Sequence, residues 1–186
     1  MAEHRVCPSW VGYLLASPIR RLLQNPTRIL GPYVRAGMNV LEPGPGMGFF
    51  TLELARLVGP EGRVVAIDVQ PAMIAGLRRR ARRAGLADRI EARLAPPSTL
   101  ALHGDEERFD LVAAFAVVHE TPSAETFFAE AARAMKPGAS LLLAEPSGHV
   151  GKEEFDAELA HAARSGLSVV DRPSAFPGLG AVLKKS

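Results

Sequence analysis

The chain has 186 residues, 47% of them hydrophobic, and a formal net charge of +2. That length suits one domain able to bury roughly 70% of its unfolded surface, and no run approaches the ~18 apolar residues that a membrane-spanning helix needs. The single cysteine, Cys7, rules out an intrachain disulfide, and the only apolar stretch near the N-terminus, Val11 to Ala16, is bracketed by Pro8 and Pro18 and does not read as a signal peptide. The expectation is a soluble, cytoplasmic protein.

Residues 1–36 read as a short helical extension punctuated by Pro8, Pro18, Pro26 and Pro32, with Pro18 and Pro26 suited to the first turn of a helix. From there strands and helices alternate. Met38 to Glu42 is the first strand and Met47 to Val58 a helix with Phe50, Leu54 and Leu57 on one face. Gly59-Pro60-Glu61-Gly62 is a turn, and Arg63 to Asp68 is an almost wholly apolar second strand, as a strand buried on both sides should be. Pro71 opens a helix that ends near Gly85, and Arg89 to Leu94 is the third strand. Phe109 to Val118 begins as a fourth strand, and Thr121-Pro122-Ser123 breaks it and caps a helix from Ala124 to Met135. Lys136-Pro137-Gly138 reads as a turn into the fifth strand, Ser140 to Glu145. Lys152 to Ser165 is a helix ended by Gly166, and Leu167 to Asp171 and Leu179 to Leu183 are the last two strands. Such alternation predicts a mostly parallel sheet with helices on both faces. The last two strands are joined by too short a loop for a parallel crossover, so they should pair antiparallel.

Arg78 to Arg83 contains five arginines. Ile74, Leu77, Ala81 and Ala84 recur at spacings of three and four and define a core stripe, with the arginines flanking it as a solvated face. A nucleic-acid surface is the rival reading, but no aromatic side chains interleave to stack on bases.

The densest chemical signal is Glu42-Pro43-Gly44-Pro45-Gly46-Met47-Gly48, a glycine turn where a strand passes to a helix. Glycine lets backbone approach a ligand closely, and this is the usual ligand position of an open α/β sheet. A dinucleotide fingerprint requires GxGxxG. Here the third glycine comes one residue early, with Phe49 in the expected place. Glu42, two positions ahead of the first glycine, would repel ligand phosphates but suit an ammonium group. Asp68 ends the second strand 24 residues after Gly44, where an acid accepts both ribose hydroxyls of an adenosine. S-adenosylmethionine (SAM) offers an adenosine, an ammonium and no phosphate.

Together these segments resemble the class I SAM-dependent methyltransferases. Glu42 to Gly48 is similar to that family's E/D-x-G-x-G-x-G motif, Asp68 to its ribose acid, Phe109-Asp110-Leu111-Val112 to its fourth-strand motif, and Lys136-Pro137-Gly138-Ala139-Ser140-Leu141 to its turn into strand five. The nearest pattern is that of small-molecule enzymes such as the quinone-biosynthesis and metalloid methyltransferases. The resemblance implies a Rossmann-like three-layer sandwich with a seven-stranded sheet whose last strand is antiparallel. It also implies one methyltransferase domain over 1–186, with a core at 37–186. SAM would be the cofactor and S-adenosylhomocysteine the product. Glu42 would hold the methionine ammonium, Gly44 and Gly46 would permit close approach, Asp68 would hold the ribose, Val69 would pack on the adenine, and Ala95 and Phe115 would line the cofactor. The family's acid after strand three is missing from Leu94-Ala95-Pro96-Pro97-Ser98, which leaves Ser98 or a backbone carbonyl for the adenine amino group.

For the chemistry, His119 and Glu120 follow strand four, and His119 could deprotonate an acceptor hydroxyl or thiol. Glu145 and His149 follow strand five and could shape an acceptor pocket. Cys7 alone is too few for the several-cysteine chemistry of arsenic methylation. Trp10 and Tyr13 offer large apolar faces for a lid over the cofactor. The five histidines lack metal-ligand spacing, so no metal is expected. The reading is a methyltransferase with a small-molecule acceptor, no membrane and no nucleic acid, and with a homodimer as one source of acceptor selectivity. Its rivals are a non-catalytic SAM-binding subunit, an NAD-dependent oxidoreductase and a nucleic-acid methyltransferase.

Overall fold

The computed structural model of the protein describes residues 24–176 and 178–186. Cys7, Trp10, Tyr13, Pro18 and most of the expected N-terminal extension lie outside the described residues. In chain order the elements are α1 (Pro26–Leu30), β1 (Asn39–Pro43), α2 (Thr51–Leu57), β2 (Arg63–Asp68), α3 (Pro71–Arg83), β3 (Ile90–Leu94), β4 (Phe109–Phe115), α4 (Ala124–Ala134), β5 (Met135–Glu145), α5 (Lys152–Arg164), β6 (Leu167–Asp171) and β7 (Leu179–Lys185). Short 3₁₀ turns occur at Ala87–Arg89 and Val118–Glu120. The strands form a seven-stranded sheet in the order β3-β2-β1-β4-β5-β7-β6. Helices connect β1 to β2, β2 to β3 and β4 to β5, the arrangement expected of βαβ units, while residues 95–108 join β3 to β4 without a helix. The chain divides into two compact units, one ending at Ala95 and one running from Pro96 to Ser186.

In the first unit β1 pairs parallel with β2 and β2 with β3. Val40, Leu41, Val64, Val65, Leu54 and Leu77 are fully buried, the apolar content that parallel strands covered on both faces require. Pro26 begins α1 as its spacing predicts, and the Asn25 side chain accepts from Thr27 N and Arg28 N. The helix expected from Met47 starts only at Thr51. Gly48, at φ +83°, cannot continue a right-handed helix, so residues 46–50 stay as turns. The arginines of α3 are not merely solvated. Arg78 donates to the Ala92 carbonyl at 2.7 Å and Arg80 to the Met47 carbonyl, so two of them fasten the helix to β3 and to the glycine turn.

In the second unit β4 pairs parallel with β5, while β7 runs antiparallel to both β5 and β6, as the short final loop requires. Phe109, Phe128, Met135, Leu141, Leu142 and Phe155 fill its core. Two boundaries differ from expectation. Lys136-Pro137-Gly138 is not a turn before the strand but part of β5. The register jumps from Phe109↔Met135 to Leu111↔Ser140, so these residues bulge out of a longer strand, with Gly138 at φ +73°. Strand β4 stops at Phe115, because Ala116 adopts φ +55° and turns the chain into the 3₁₀ segment that carries His119 and Glu120. Ser123 caps α4 as predicted, its hydroxyl accepting from Thr126 N at 3.1 Å.

Candidate functional site

Within the first unit, parallel pairing of β1 and β2 sets Glu42 beside Ala66 and Pro43 beside Ile67, and Gly44 N donates to Ile67 O at 2.8 Å. The glycine turn therefore lies next to the end of β2, where Asp68 sits. Gly44 and Gly46 have φ of +65° and +53°, and a Cβ added at Gly46 would meet nothing within 4 Å. The turn thus presents bare backbone to open space, which is what close approach to a ligand requires.

Asp68 is 8% exposed. Its Oδ1 accepts from Gln70 N at 2.8 Å. Burial raises its pKa, against the lowering effect of backbone N–H groups of Gln70, Gly46 and Val69. Asp68 and the glycine turn are therefore in direct contact. Val69 follows, 36% exposed, an apolar side chain offered at the strand end. Buried Ala95 donates its N–H to Asp68 O at 3.1 Å.

Glu42 is the most perturbed group here. It is 3% exposed, and neither its Oε2 nor the Thr51 hydroxyl has a hydrogen-bond partner. Desolvation pushes its pKa up to about 8. The nearby Thr51 hydroxyl, without completing a bond, lowers it somewhat, and the Asp68 charge raises it further. A buried carboxyl oxygen without a donor is costly unless something arrives to satisfy it. A ligand ammonium does so, which fits the methionine end of SAM, while Asp68 and the open glycine backbone fit its ribose and chain. S-adenosylmethionine thus matches the residues present.

In the second unit, Phe115 is 8% exposed and packs edge-on against Phe176 at 5.8 Å between ring centroids. His119 is brought to Glu145, 26 positions away. Nδ1–H donates to Glu145 Oε2 at 2.5 Å. Glu145 is fully buried, and its other oxygen accepts from Val118 N at 2.8 Å and Val117 N at 3.3 Å. The hydrogen bond to Glu145 raises the His119 pKa, against the lowering effect of burial. Glu145 both anchors the loop and fixes the imidazole tautomer, leaving Nε2 as the basic nitrogen. The His149 ring stands 5.8 Å from that of His119, and Glu120 is half-buried beside it in sequence. Glu158, on α5, was not legible as a site residue: it is 5% exposed, its Oε2 has no partner, and burial pushes its pKa up to about 8. A glutamate on the apolar stripe of a helix, between Phe155 and Leu159 and Ala162, is the signal that marks it. Ser98 lies exposed in the second unit. Among the described residues, no group of three His, Cys, Asp or Glu side chains is placed to hold a metal ion, and no helix is long and apolar enough to cross a membrane.

Residues 35–172 match a family model described as a methyltransferase domain. The chain belongs to this family. Membership implies S-adenosylmethionine as the cofactor. Among curated relatives, the ubiquinone/menaquinone biosynthesis C-methyltransferase UbiE of Hahella chejuensis is 30% identical over 126 residues, 66% of this chain and 50% of that protein. The catechol O-methyltransferase of Mycobacterium tuberculosis is 47% identical over 57 residues, 31% of this chain and 26% of that protein. The chain spans about half or less of the length of these relatives. Among solved structures, a SAM-dependent methyltransferase from Aquifex aeolicus is similar with a TM-score of 0.82 at 23% identity, over 96% of this chain and 98% of that one. The seven-stranded, mostly parallel sheet with an antiparallel last strand is thus that of the class I SAM-dependent methyltransferases.

Proposed function

We propose that the chain, acting as one methyltransferase domain over residues 1–186, transfers the methyl group of SAM to a small-molecule acceptor and releases S-adenosylhomocysteine. The observation that carries this reading is the buried carboxyl of Glu42, with its Oε2 unpartnered, beside the open glycine turn and the Asp68 carboxylate. Glu42 binds the methionine ammonium, Gly44 and Gly46 admit the ligand, Asp68 takes the ribose hydroxyls, and Val69 and Ala95 pack against the adenine. Phe115 contributes packing and backbone to the cofactor. When bound, SAM supplies an electrophilic methyl group that needs no further activation. The protein's part is then to align the acceptor and exclude water.

His119 is the proposed general base, with Nε2 free because Nδ1 is held by Glu145. Glu120, on the same 3₁₀ segment, is proposed to contact the acceptor. A small acceptor is supported by the similarity to a ubiquinone/menaquinone biosynthesis C-methyltransferase and to a catechol O-methyltransferase. A nucleic-acid acceptor is disfavoured because Arg78 and Arg80 are engaged with the protein's own backbone.

Calorimetry with SAM, S-adenosylhomocysteine and NAD tests the cofactor reading: binding of NAD without SAM refutes it. Label transfer from methyl-tritiated SAM into a metabolite extract tests catalysis. SAM binding with no transfer would instead indicate a non-catalytic SAM-binding subunit.

A further inference from the structure

A groove of about 440 Å³ opens in the second unit where the last residues of α4, α5 and β7 come together. Small-molecule sites occupy about 300–1,000 Å³. Helix α4 gives the groove one side: Glu125, Ala129, Ala132 and Arg133 recur at helical spacing and share a face. The two alanines leave the floor open, and Glu125 stands about 12 Å along the axis from Arg133. The other lining comes from Arg164 and Ser165 at the end of α5 and from Lys185 at the end of β7. Pairing of Leu167 with Lys185 brings the end of α5 beside Lys185, whose Nζ donates to Met135 O at 2.7 Å, just past the end of α4. Three cations from three elements therefore share one end of the groove, and a carboxylate marks the other. Met135 opens β5 and Glu145 ends it, so the groove and the His119–Glu145 pair lie at opposite ends of that strand.

A basic residue in the last turn of a helix offsets the helix dipole, which accounts for Arg133 and Arg164 one at a time. It does not account for Lys185, which is on a strand, or for a cleft common to all three. Among the described residues none of the three is in an ion pair; Glu106 feels Arg133 only through its charge. Arg164 spends one donor on His161 Nδ1 at 2.7 Å and Lys185 one on Met135 O, which leaves both with donors to spare, and Arg133 makes no side-chain hydrogen bond among the described residues. Like charges held in a cleft focus their field and draw an anion, and guanidinium forks take phosphate oxygens in pairs. We propose that this groove is a second ligand site, separate from the methyl-transfer centre, that binds the phosphate of a hydroxylated phosphomonoester of sugar-phosphate size. The phosphate sits among Arg133, Arg164 and Lys185, and the body lies over Ala129 and Ala132 with its hydroxyls donating to Glu125. No aromatic ring lines the groove, so there is no surface on which a nucleobase would stack. The inference does not depend on the methyl-transfer reading.

The test titrates the full chain at low salt with glucose 6-phosphate, inorganic phosphate, glucose and adenosine monophosphate, following backbone amide shifts by NMR and affinity by calorimetry. Glucose 6-phosphate should shift the amides of residues 125–133, 164–166 and 185 saturably, more tightly than inorganic phosphate or adenosine monophosphate, and glucose should shift none of them. Raising the salt should weaken binding, because the contacts are ionic and exposed. Arg133→Gln, a change at an exposed side chain, should keep the wild-type melting temperature and lower glucose 6-phosphate affinity by about tenfold; Arg164→Gln should weaken it as well. Glu125→Gln separates the two ends of the groove: it should weaken glucose 6-phosphate while leaving inorganic phosphate unchanged or tighter, since a repelling carboxylate has gone. Absence of saturable shifts at these amides up to about 20 mM glucose 6-phosphate, well beyond the ~1 mM scale of weak binding, overturns the site, as does wild-type affinity in both arginine variants. Inorganic phosphate or adenosine monophosphate binding as tightly as glucose 6-phosphate overturns the assignment of a hydroxylated body.

Discussion

If Glu42 holds the ammonium of SAM, cofactor binding must be coupled to proton release. In the ligand-free protein its carboxyl titrates at about 8, so about 1% is ionised at pH 6, about 10% at pH 7 and half at pH 8. An apparent dissociation constant is the intrinsic one divided by the competent fraction. Glu42 alone therefore weakens SAM binding about 100-fold at pH 6 and about tenfold at pH 7 relative to the fully ionised site. The ligand's own α-amino group, with an ordinary pKa of about 7.7–8.0, loses its charge on the alkaline side. The product of the two fractions predicts a bell with its maximum near pH 8 and binding about 20-fold tighter there than at pH 6. Calorimetry from pH 6 to 9, in buffers of different ionisation enthalpy, should count close to one proton released per SAM at pH 6–7. Glu42→Gln should abolish the acid limb and the proton release together. Affinity varying less than about twofold between pH 6 and 8, without proton release, would refute the placement of the ammonium on Glu42.

The same carboxyl and Glu158 also govern stability. Both hold their protons in the fold up to about 8 but lose them near 4.5 when unfolded, so their contribution is complete below about pH 4.5 and is lost as pH rises through 8. Denaturant unfolding of ligand-free protein should show Glu42→Gln gaining stability on wild type between pH 5 and 8; a constant difference across that range would contradict the burial argument. Asp68→Ala should cost on the order of 2–4 kcal/mol of SAM affinity through loss of two hydrogen bonds to a charged acceptor, measured by calorimetry, and unchanged affinity would remove the ribose assignment. Gly48→Ala should destabilise the fold by about 1–3 kcal/mol, because the position has φ +83° and the new Cβ would lie 2.5 Å from Leu77 Cδ1; a melting temperature equal to wild type would show that the turn relaxes freely.

Much of the first unit was legible from residue order, since its determinants are local. A glycine turn flanked by an acid, and an acid at the end of the next apolar strand, are brought together by one βαβ step. The parallel register Pro43↔Ile67 then follows from ordinary crossover geometry. Local patterning also announced the Ser123 cap and the antiparallel end of the sheet, through a hydroxyl one residue ahead of the helix and a short loop.

Other features depend on partners distant in sequence. Lys136-Pro137-Gly138 has the composition of a turn, and only pairing of β5 with β4 turns it into a bulge. The arginines of α3 read as a solvated face because their acceptors, Ala92 O and Met47 O, are backbone atoms without a sequence signature. His119 and Glu145 each appear in the sequence as a polar residue after a strand; adjacency of β4 and β5 makes them a pair. Glu158 looked like one more charge on a helix.

The sequence by itself therefore determined the strand and helix order and the cofactor's chemical type, because alternation, glycine spacing and acid placement act over a few residues. Tertiary structure decided how each carboxyl group is held. A glutamate's surroundings belong to the packed chain: Glu42 and Glu158 each bury an oxygen that meets no donor, and burial raises their pKa, whereas the Glu145 oxygens are engaged by the backbone N–H of Val118 and by the His119 ring.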